Sequence, residues 1–171
     1  DKVGSQLSIV KETFASTPAA ITDYSIANEQ ESNVDGIPTK QFTFLKNNVQ
    51  LSQSEDKVGS QLAISQQWFN PSEDKTVSGY SLASQNTSDF EGIKTIEYRF
   101  LKEDVQLSQS EDEVGSQNSI TEEWFKPSAS RKTKTNYSLA RKDESNVQGI
   151  PTERYTFLKD NVVLSVSEDR V

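Results

Sequence analysis

Three tandem copies of one unit make up the chain, and this repeat constrains its fold more than any other feature. The string DKVGSQLSI at residues 1–9 returns as DKVGSQLAI at 56–64 and as DEVGSQNSI at 112–120. The blocks ESNVDGIPTKQFTFLK and VQLSQSED each recur twice more, in the same order and with small changes. A unit of about 56 residues, used three times, therefore predicts small modules rather than one large core.

Differences in length between the copies locate the predicted module boundaries. Tyr24 lies 45 residues before Phe69, and Tyr80 lies 45 residues before Phe125, whereas the stretches between these segments vary in length. Those stretches are rich in proline, serine and charge, as surface connections usually are. The predicted organisation is a last strand of a preceding module at 1–14, linkers at 15–23, 70–79 and 126–136, modules at 24–69 and 80–125, and a module lacking its last strand at 137–171.

Apolar residues within each module alternate with polar ones, which is typical of half-buried β-strands. Tyr24 and Ile26 share one face of a strand, as do Phe42 and Phe44. The strings NVDG, DFEG and NVQG supply the glycine that a tight turn requires, and LKNNV and its equivalents are expected to form hairpin loops. The predicted fold class is all-β, with about four antiparallel strands per module in a meander.

A module of about 46 residues is small for an independent core. The chain has no cysteine, so disulfides cannot compensate. The modules must therefore pack on each other or on other chains. We favour a linear array or fibre because the copies are similar and their connections resemble linkers. The alternative is a closed pseudo-threefold body, a β-prism or β-trefoil, in which residues 1–14 complete the third module.

Composition excludes several classes of function. The net charge of −8 disfavours binding to nucleic acid and to anionic membranes. Histidine is absent, which removes the commonest general base and metal ligand. No apolar run approaches the roughly 20 residues of a membrane span, and the first residues do not resemble a signal peptide. Since the chain opens Asp-Lys-Val without an initiator methionine, we expect a piece of a longer polypeptide.

Aromatic residues are the first candidates for a binding site. All of them except Phe90 lie at positions that recur between copies, and they share the apolar face of the predicted strands, so core packing is the expected role. Trp68 and Trp124 differ, because the first copy has Thr13 at the matching position. These two tryptophans are therefore candidates for a surface or intermodule contact, with core packing as the alternative.

Acidic clusters are the second candidates. The SED string that ends each VQLSQSED block, together with carboxylates near the glycine turns, offers oxygen ligands for calcium, but the spacing does not match an EF-hand loop. Charge on turns and edge strands is the expected explanation. No pair of carboxylates stands out as a glycosidase would require. The sequence thus predicts no catalytic, cofactor or metal site, and a chain that is not an enzyme.

The motifs DYSIA, ESNVDGIPTKQFTFLK and LSQSEDKVGSQLSI resemble repeats in long modular virion proteins of tailed phages, especially marine and cyanobacterial ones. The resemblance covers the whole chain and rests on polar, cysteine-free β modules with the pattern G-x-x-T-x-x-[YF]-x-F. It carries no known binding or catalytic motif. It implies a virion fibre or appendage, commonly a trimer, with a role in host attachment.

The expected function is accordingly a structural spacer in a virion or extracellular fibre. Its expected partners are further copies of the chain, with a trimer favoured, or neighbouring repeats of a longer chain, and a host-surface glycan. A bacterial surface adhesin or extracellular filament repeat is one alternative. A carbohydrate-binding β module with three equivalent sites is another.

Overall fold

A computed structural model of the chain describes residues 2–3, 6–114, 117–128 and 133–170. All helical and strand structure in these ranges is β-strand, and accordingly none of the described residues belongs to a helix that could span a membrane. The strands are β1 (Lys2–Val3), β2 (Gln6–Thr13), β3 (Tyr24–Val34), β4 (Ile37–Lys46), β5 (Val49–Val58), β6 (Gln61–Phe69), β7 (Ser81–Phe90), β8 (Ile93–Leu101), β9 (Val105–Val114), β10 (Gln117–Phe125), β11 (Tyr137–Val147) and β12 (Ile150–Lys159).

These strands form three antiparallel sheets that share one strand order. The first sheet is β1-β2-β4-β3, the second is β5-β6-β8-β7, and the third is β9-β10-β12-β11. The prediction of an all-β chain built from small antiparallel modules of about four strands is confirmed. The sheets are not closed into a barrel, as the β-trefoil alternative would require.

The strands are grouped differently from the predicted meander. Within the predicted module 24–69, β3 and β4 pair with β2, whereas β5 and β6 pair with β8 and β7. The string LKNNV is therefore not a hairpin loop. At Asn48 (φ 59°), and again at Asp104 (φ 56°), the chain leaves one sheet and enters the next. Residues 162–170, predicted to begin with a strand, form none.

The segments predicted as linkers between modules are crossover connections within sheets. Because β2 and β3 flank β4 and are both antiparallel to it, they run parallel to each other, so the segment between them must travel along β4. Thr13 pairs with Lys40 and Tyr24 with Lys46, so that distance is about 20 Å. The shared strand order places the connection from β6 to β7 in the same way in the second sheet, and the connection from β10 to β11 joins equivalent strands in the third. The crossover segments are residues 14–23 and 70–80 and, in the third sheet, the described residues 126–128 and 133–136.

One face of each sheet is aromatic and buried. Tyr98 and Phe100 stack with ring centroids 6.3 Å apart in the second sheet, and Tyr155 and Phe157 stack at 6.4 Å in the third. These four rings are at most 2% exposed. The predicted core role of the repeated aromatic positions is confirmed for these rings, and likewise for Phe42 and Phe44 of the first sheet.

Crossover segments contribute lysines to this aromatic face. Lys75 Nζ lies 4.0 Å from the ring centroid of Trp68 in the second sheet. Lys134 Nζ lies 5.8 Å from the ring of Phe157 in the third. In each of these two sheets, the segment that crosses between strands therefore also covers part of the sheet's own aromatic face. The aliphatic stem of a lysine can shield a ring while its charge stays in water.

Three hairpins close with the predicted glycine turns. Asp35 and Gly36 both have positive φ, at 51° and 85°, which is the geometry of a two-residue type I′ turn. The Asn33 Oδ1 atom accepts a hydrogen bond from the Gly36 backbone N–H at 2.8 Å. The equivalent bonds at Gly92 and Gly149 are 2.9 and 2.8 Å long, so the turn prediction is confirmed in all three copies.

The buried phenols make stability sensitive to alkaline pH. Burial raises the pKa of Tyr98 and of Tyr155 above the usual value, and the carboxylates of Asp74 and Glu153 raise them further. The folded chain therefore keeps these phenols protonated where the unfolded chain would ionise them. Their contribution is full below about pH 10 and is lost as pH rises through the raised folded-state values, so we expect the melting temperature to fall above about pH 10.

The double variant Tyr98→Phe, Tyr155→Phe should lose part of this alkaline decline in melting temperature, because phenylalanine has no hydroxyl to ionise. The first sheet already has a phenylalanine, Phe42, at the same repeat position. Melting curves by circular dichroism between about pH 8 and about pH 11, for both proteins, measure the difference. If the melting temperatures of the two proteins fell equally with rising pH, these phenols would not be the cause of the alkaline decline.

Candidate functional site: the junctions between sheets

Two apolar clusters lie where one sheet ends and the next begins, and the same sequence positions form both. The first junction joins the ends of β4 and β6 to the starts of β5 and β8, and the second joins the ends of β8 and β10 to the starts of β9 and β12. All of these side chains are 9% exposed or less. The first contains Leu45, Val49, Leu51, Phe69 and Ile93, and the second contains their equivalents Leu101, Val105, Leu107, Phe125 and Ile150.

The chain forms two compact units, and each unit contains one whole junction rather than a set of whole sheets. One unit comprises residues 1–55, 64–78 and 85–100, and it contains the whole first junction. The other comprises residues 56–63, 79–84 and 101–171, and it contains the whole second junction. Each strand of the second sheet contributes residues to both units. The organising core of each unit is thus a junction.

A departure from strand alternation directs one aromatic residue into each junction. Trp68 faces the aromatic side of its sheet, yet the next residue, Phe69, also points to a buried site and belongs to the junction. In the third sheet the pairing register shifts between Glu123 and Trp124, just before Phe125. Such irregularities re-aim side chains at the end of a strand. In the sequence this departure shows only as two consecutive aromatic residues, Trp68 and Phe69, at the end of the alternating run.

Polar contacts hold the turn at each junction. The Asn48 N–H donates to the Asn70 carbonyl at 3.0 Å, and the Ser72 N–H donates to Asn48 Oδ1 at 3.4 Å. In the second junction the Ser128 N–H donates to Asp104 Oδ1 at 2.9 Å. Asn and Asp tolerate the left-handed conformation better than most residues. One residue thus redirects the chain and also binds the start of the crossover segment.

A charged contact adds to the second junction. The Ser81 hydroxyl donates to Glu103 Oε1 at 2.7 Å, and Lys126 Nζ lies 3.4 Å from the same oxygen. The Ser81 hydroxyl, followed by Lys126, lowers the pKa of the Glu103 carboxyl. Since Glu103 and Lys126 are both exposed, their ion pair contributes little to stability. The apolar cluster remains the main source of cohesion.

Gly59 brings two backbones into contact at the second junction. It lies in the turn between β5 and β6 with φ 60°, and a Cβ atom added there would meet the Leu107 carbonyl oxygen at 2.2 Å. Val58 and Ala63, beside this turn, are fully buried in the same cluster. The hairpin tip of the second sheet therefore packs directly on β9, and only glycine leaves room for this approach.

The two tryptophans singled out from the sequence lie on the aromatic faces of their own sheets. Trp124 is 6% exposed and packs with Tyr155 and Phe157, and its indole N–H donates to Glu122 Oε2 at 3.0 Å. Trp124 is therefore not a surface residue. Trp68 is half-buried, and its indole N–H donates to Gln66 Oε1 at 3.0 Å. An intermodule contact by either residue stays a prediction.

Acidic side chains serve as cross-strand acceptors. In the third sheet the Glu123 carboxylate accepts from the Ser145 hydroxyl at 3.3 Å and from the Thr152 hydroxyl at 3.1 Å. In the first sheet its equivalent, Glu12, accepts from the Ser32 hydroxyl at 3.1 Å. Within the described ranges, no group of three or more acidic residues is placed to hold a metal ion. These carboxylates are used in joining strands.

No protein family model, no curated protein and no solved structure matches this chain. Two junctions in one chain use the same positions, and equivalent residues elsewhere in the chain serve as controls.

Phe69 and Phe14 occupy the same repeat position and give a matched pair of variants. Phe69 is 6% exposed within the first junction, whereas Phe14 is 68% exposed. We expect Phe69→Ala to lower the free energy of unfolding by about 3–5 kcal/mol, as for a buried phenylalanine, and Phe14→Ala to change it by less than about 0.5 kcal/mol. Urea unfolding of each variant measures both, and equal effects would contradict the junction.

Gly59 and Gly92 give a second matched pair. Both have positive φ, but nothing lies within 4 Å of a Cβ added at Gly92. We expect Gly92→Ala to cost about 1–2 kcal/mol for its backbone conformation alone. Gly59→Ala should cost about 1–3 kcal/mol more, because it also forces β9 away. Thermal unfolding of the two variants tests this, and a smaller loss for Gly59→Ala would show that the contact with Leu107 is unimportant.

Proposed function

We propose that this chain is a non-enzymatic structural segment of an extracellular or virion fibre or appendage, in which the repeated sheets act as a spacer. The observation that carries the proposal is the repetition of one junction at equivalent positions. Because these apolar clusters lie between successive sheets, each further repeat adds one sheet and one identical junction. This nearest-neighbour construction is what allows repeat proteins to vary in length.

The contacts of an acidic side chain and the burial of the stacked aromatic rings support a structural role. Glu122 forms an ion pair with Lys134 and also accepts the Trp124 indole N–H. The stacked rings of Tyr98 and Phe100, which a sugar would need to reach, are at most 2% exposed. This burial favours a spacer over the carbohydrate-binding alternative, since sugar recognition by stacking requires accessible rings.

Exposed apolar residues support association between chains. Ile26, Leu82 and Leu139 occupy the same repeat position on β3, β7 and β11, and they are 44%, 37% and 44% exposed. A recurring apolar position on the surface suits lateral contacts between copies. The resemblance to phage virion repeats favours a trimer, and the role in host attachment rests on that resemblance alone.

Insertion of one more repeat tests the spacer function. A second copy of residues 49–104, placed after Asp104, would add one complete sheet with its connection. We expect the maximum dimension in solution scattering to grow by a fixed increment for each inserted copy, at constant cross-section. The denaturant dependence of unfolding should rise in proportion to the added buried surface.

A glycine-serine insert of equal length is the matched control, because it adds mass without a sheet or a junction. A radius of gyration that grows only as expected for a compact particle would contradict the spacer function. Molar mass from light scattering of the same samples tests the trimer separately.

A further inference from the structure

We propose that the outer edge of β7 pairs with the β7 edge of a second copy of this chain, in antiparallel orientation and with Thr87 on a twofold axis. The second sheets of the two copies would then continue as one sheet across the contact. In this mode of binding the backbone hydrogen bonds supply the affinity. The proposal goes beyond the spacer function and does not depend on it.

The topology of the repeat makes β7 an edge strand. In the second sheet β7 pairs with β8, and no other described strand lies beside it. The strands β3 and β11 hold the same edge position in the first and third sheets, so this unpaired edge belongs to the repeated unit. The side chains of Gln85, Asn86 and Thr87 are exposed. The unpaired backbone groups of such an edge are a template for another chain.

Charged side chains protect the equivalent edges but not the edge of β7. β3 carries Glu29 and Glu31, and β11 carries four consecutive charged residues at 141–144. In β7 the corresponding positions, 84–87, read SQNT. The opposite edge of the second sheet, β5, contains the acidic SED string. Because charge is a common means of preventing strand edges from pairing, β7 is the edge best suited to bind another copy.

The glycine turn determines which backbone groups of β7 point outward. The turn at 91–92 has two residues with positive φ, so Phe90 and Ile93 on either side of it exchange backbone hydrogen bonds, as a two-residue hairpin requires. Val34 pairs with Ile37 in the same way in the first sheet. Along an antiparallel pair, residues that bond inward alternate with residues whose backbone groups point outward. The outward-pointing residues are therefore Gln85, Thr87 and Asp89.

One register pairs all of these outward groups. With Thr87 on the twofold axis, Thr87 lies opposite its own copy, and Gln85 lies opposite Asp89 of the second copy. Each opposed pair exchanges two backbone hydrogen bonds, so the contact contains about six. An axis at Asn86 would instead place Asp89 opposite Ala83, where the equivalent strands β3 and β11 have a β-bulge, and the bonds of Asp89 would be lost.

The side chains that meet in this register are compatible. Thr87 would lie beside Thr87 of the second copy, and threonine pairs are favourable between antiparallel strands. The Gln85 amide group can donate a hydrogen bond to the Asp89 carboxylate. Asn86 would lie opposite Ser88, and both side chains carry a donor and an acceptor. No charge is therefore left facing a like charge.

The same register is unfavourable in the other two sheets. Glu31 of β3 and Glu144 of β11 hold the repeat position of Thr87. On a twofold axis, each glutamate would face its own copy. Like charges directly opposite each other destabilise a strand pair. Pairing between copies is therefore assigned to the second sheet alone.

Sedimentation velocity over a range of protein concentrations tests the pairing. We expect the molar mass to double as the concentration rises, because a twofold contact closes after two copies. Thr87→Glu should raise the dissociation constant roughly tenfold or more, since two carboxylates then face each other at the axis. Its melting temperature should stay close to that of the parent chain, because glutamate already stands at this position in β3 and β11.

Thr17→Glu is the matched control. Thr17 is also exposed, but it lies in the crossover segment of the first sheet, so this variant gains the same charge outside the proposed contact. Its association should equal that of the parent chain. A molar mass that does not change with concentration would overturn the proposal, as would a doubling that persists equally in Thr87→Glu. A threefold mass that Thr87→Glu leaves unchanged would also overturn it, while leaving the lateral trimer of the proposed function intact.

Cysteine substitution tests the register, because the chain contains no cysteine of its own. Opposed residues that exchange backbone hydrogen bonds lie about 5.5 Å apart between Cα atoms, within the range that a disulfide spans. Thr87→Cys should therefore give a disulfide-linked homodimer on mild oxidation. In Asn86→Cys the two cysteines lie diagonally, at about 7–8 Å, and should give much less. Equal yields from the two variants would contradict the proposed strand pairing.

Discussion

Packing of Leu45, Val49 and Leu51 against Phe69 and Ile93 is the interaction on which the rest of the structure depends. These residues come from two consecutive sheets, and their equivalents repeat the arrangement at the second junction. A single four-stranded sheet buries too little apolar surface to stand alone, and the chain has no cysteine to crosslink it. Cohesion therefore comes from pairs of sheets, which is why each compact unit is centred on a junction.

In every sheet a lysine lies near an aromatic ring, but the element that supplies the lysine differs. The strand position occupied by Lys11 in the first sheet is Gln66 in the second and Glu122 in the third. Where the strand carries lysine, the crossover segment contains none, and Lys11 Nζ lies 6.0 Å from the Phe44 ring. Where the strand carries Glu122, the crossover segment provides Lys134 to pair with it. A lysine thus lies near an aromatic ring in every sheet, supplied by either the strand or the crossover segment.

Repetition of one junction gives this architecture its functional meaning. Under the proposed spacer function, each further copy would extend the array through a junction made from the same positions. Phe14 and Leu164, each half of such a junction, are exposed in the single chain, whereas their repeat equivalents are buried. Burial at these repeat positions therefore depends on the neighbouring repeat, whereas the aromatic faces are buried within each sheet.

Local sequence was sufficient for most of the strands, for the glycine turns and for the aromatic core. Alternation predicted the faces of Phe42 and Phe44, and glycine predicted the turn at Asp35–Gly36, because both depend on interactions between near neighbours. Trp68 and Trp124 were singled out, whereas Phe69, at the centre of the first junction, showed itself only as a break in alternation. The sequence did not indicate that Gly59 lies at a junction, since only the approach of the Leu107 backbone explains why glycine is required there.

Tertiary structure alone decided how the strands are grouped. The string between Leu45 and Val49 suits a hairpin as well as a passage to the next sheet, and the choice depends on which distant residues bury Val49 and Leu51. Local sequence likewise does not determine which side chains are exposed. Phe14 and Phe69 are one residue type at one repeat position, yet only Phe69 is buried, because burial is a property of what lies opposite and not of the residue itself.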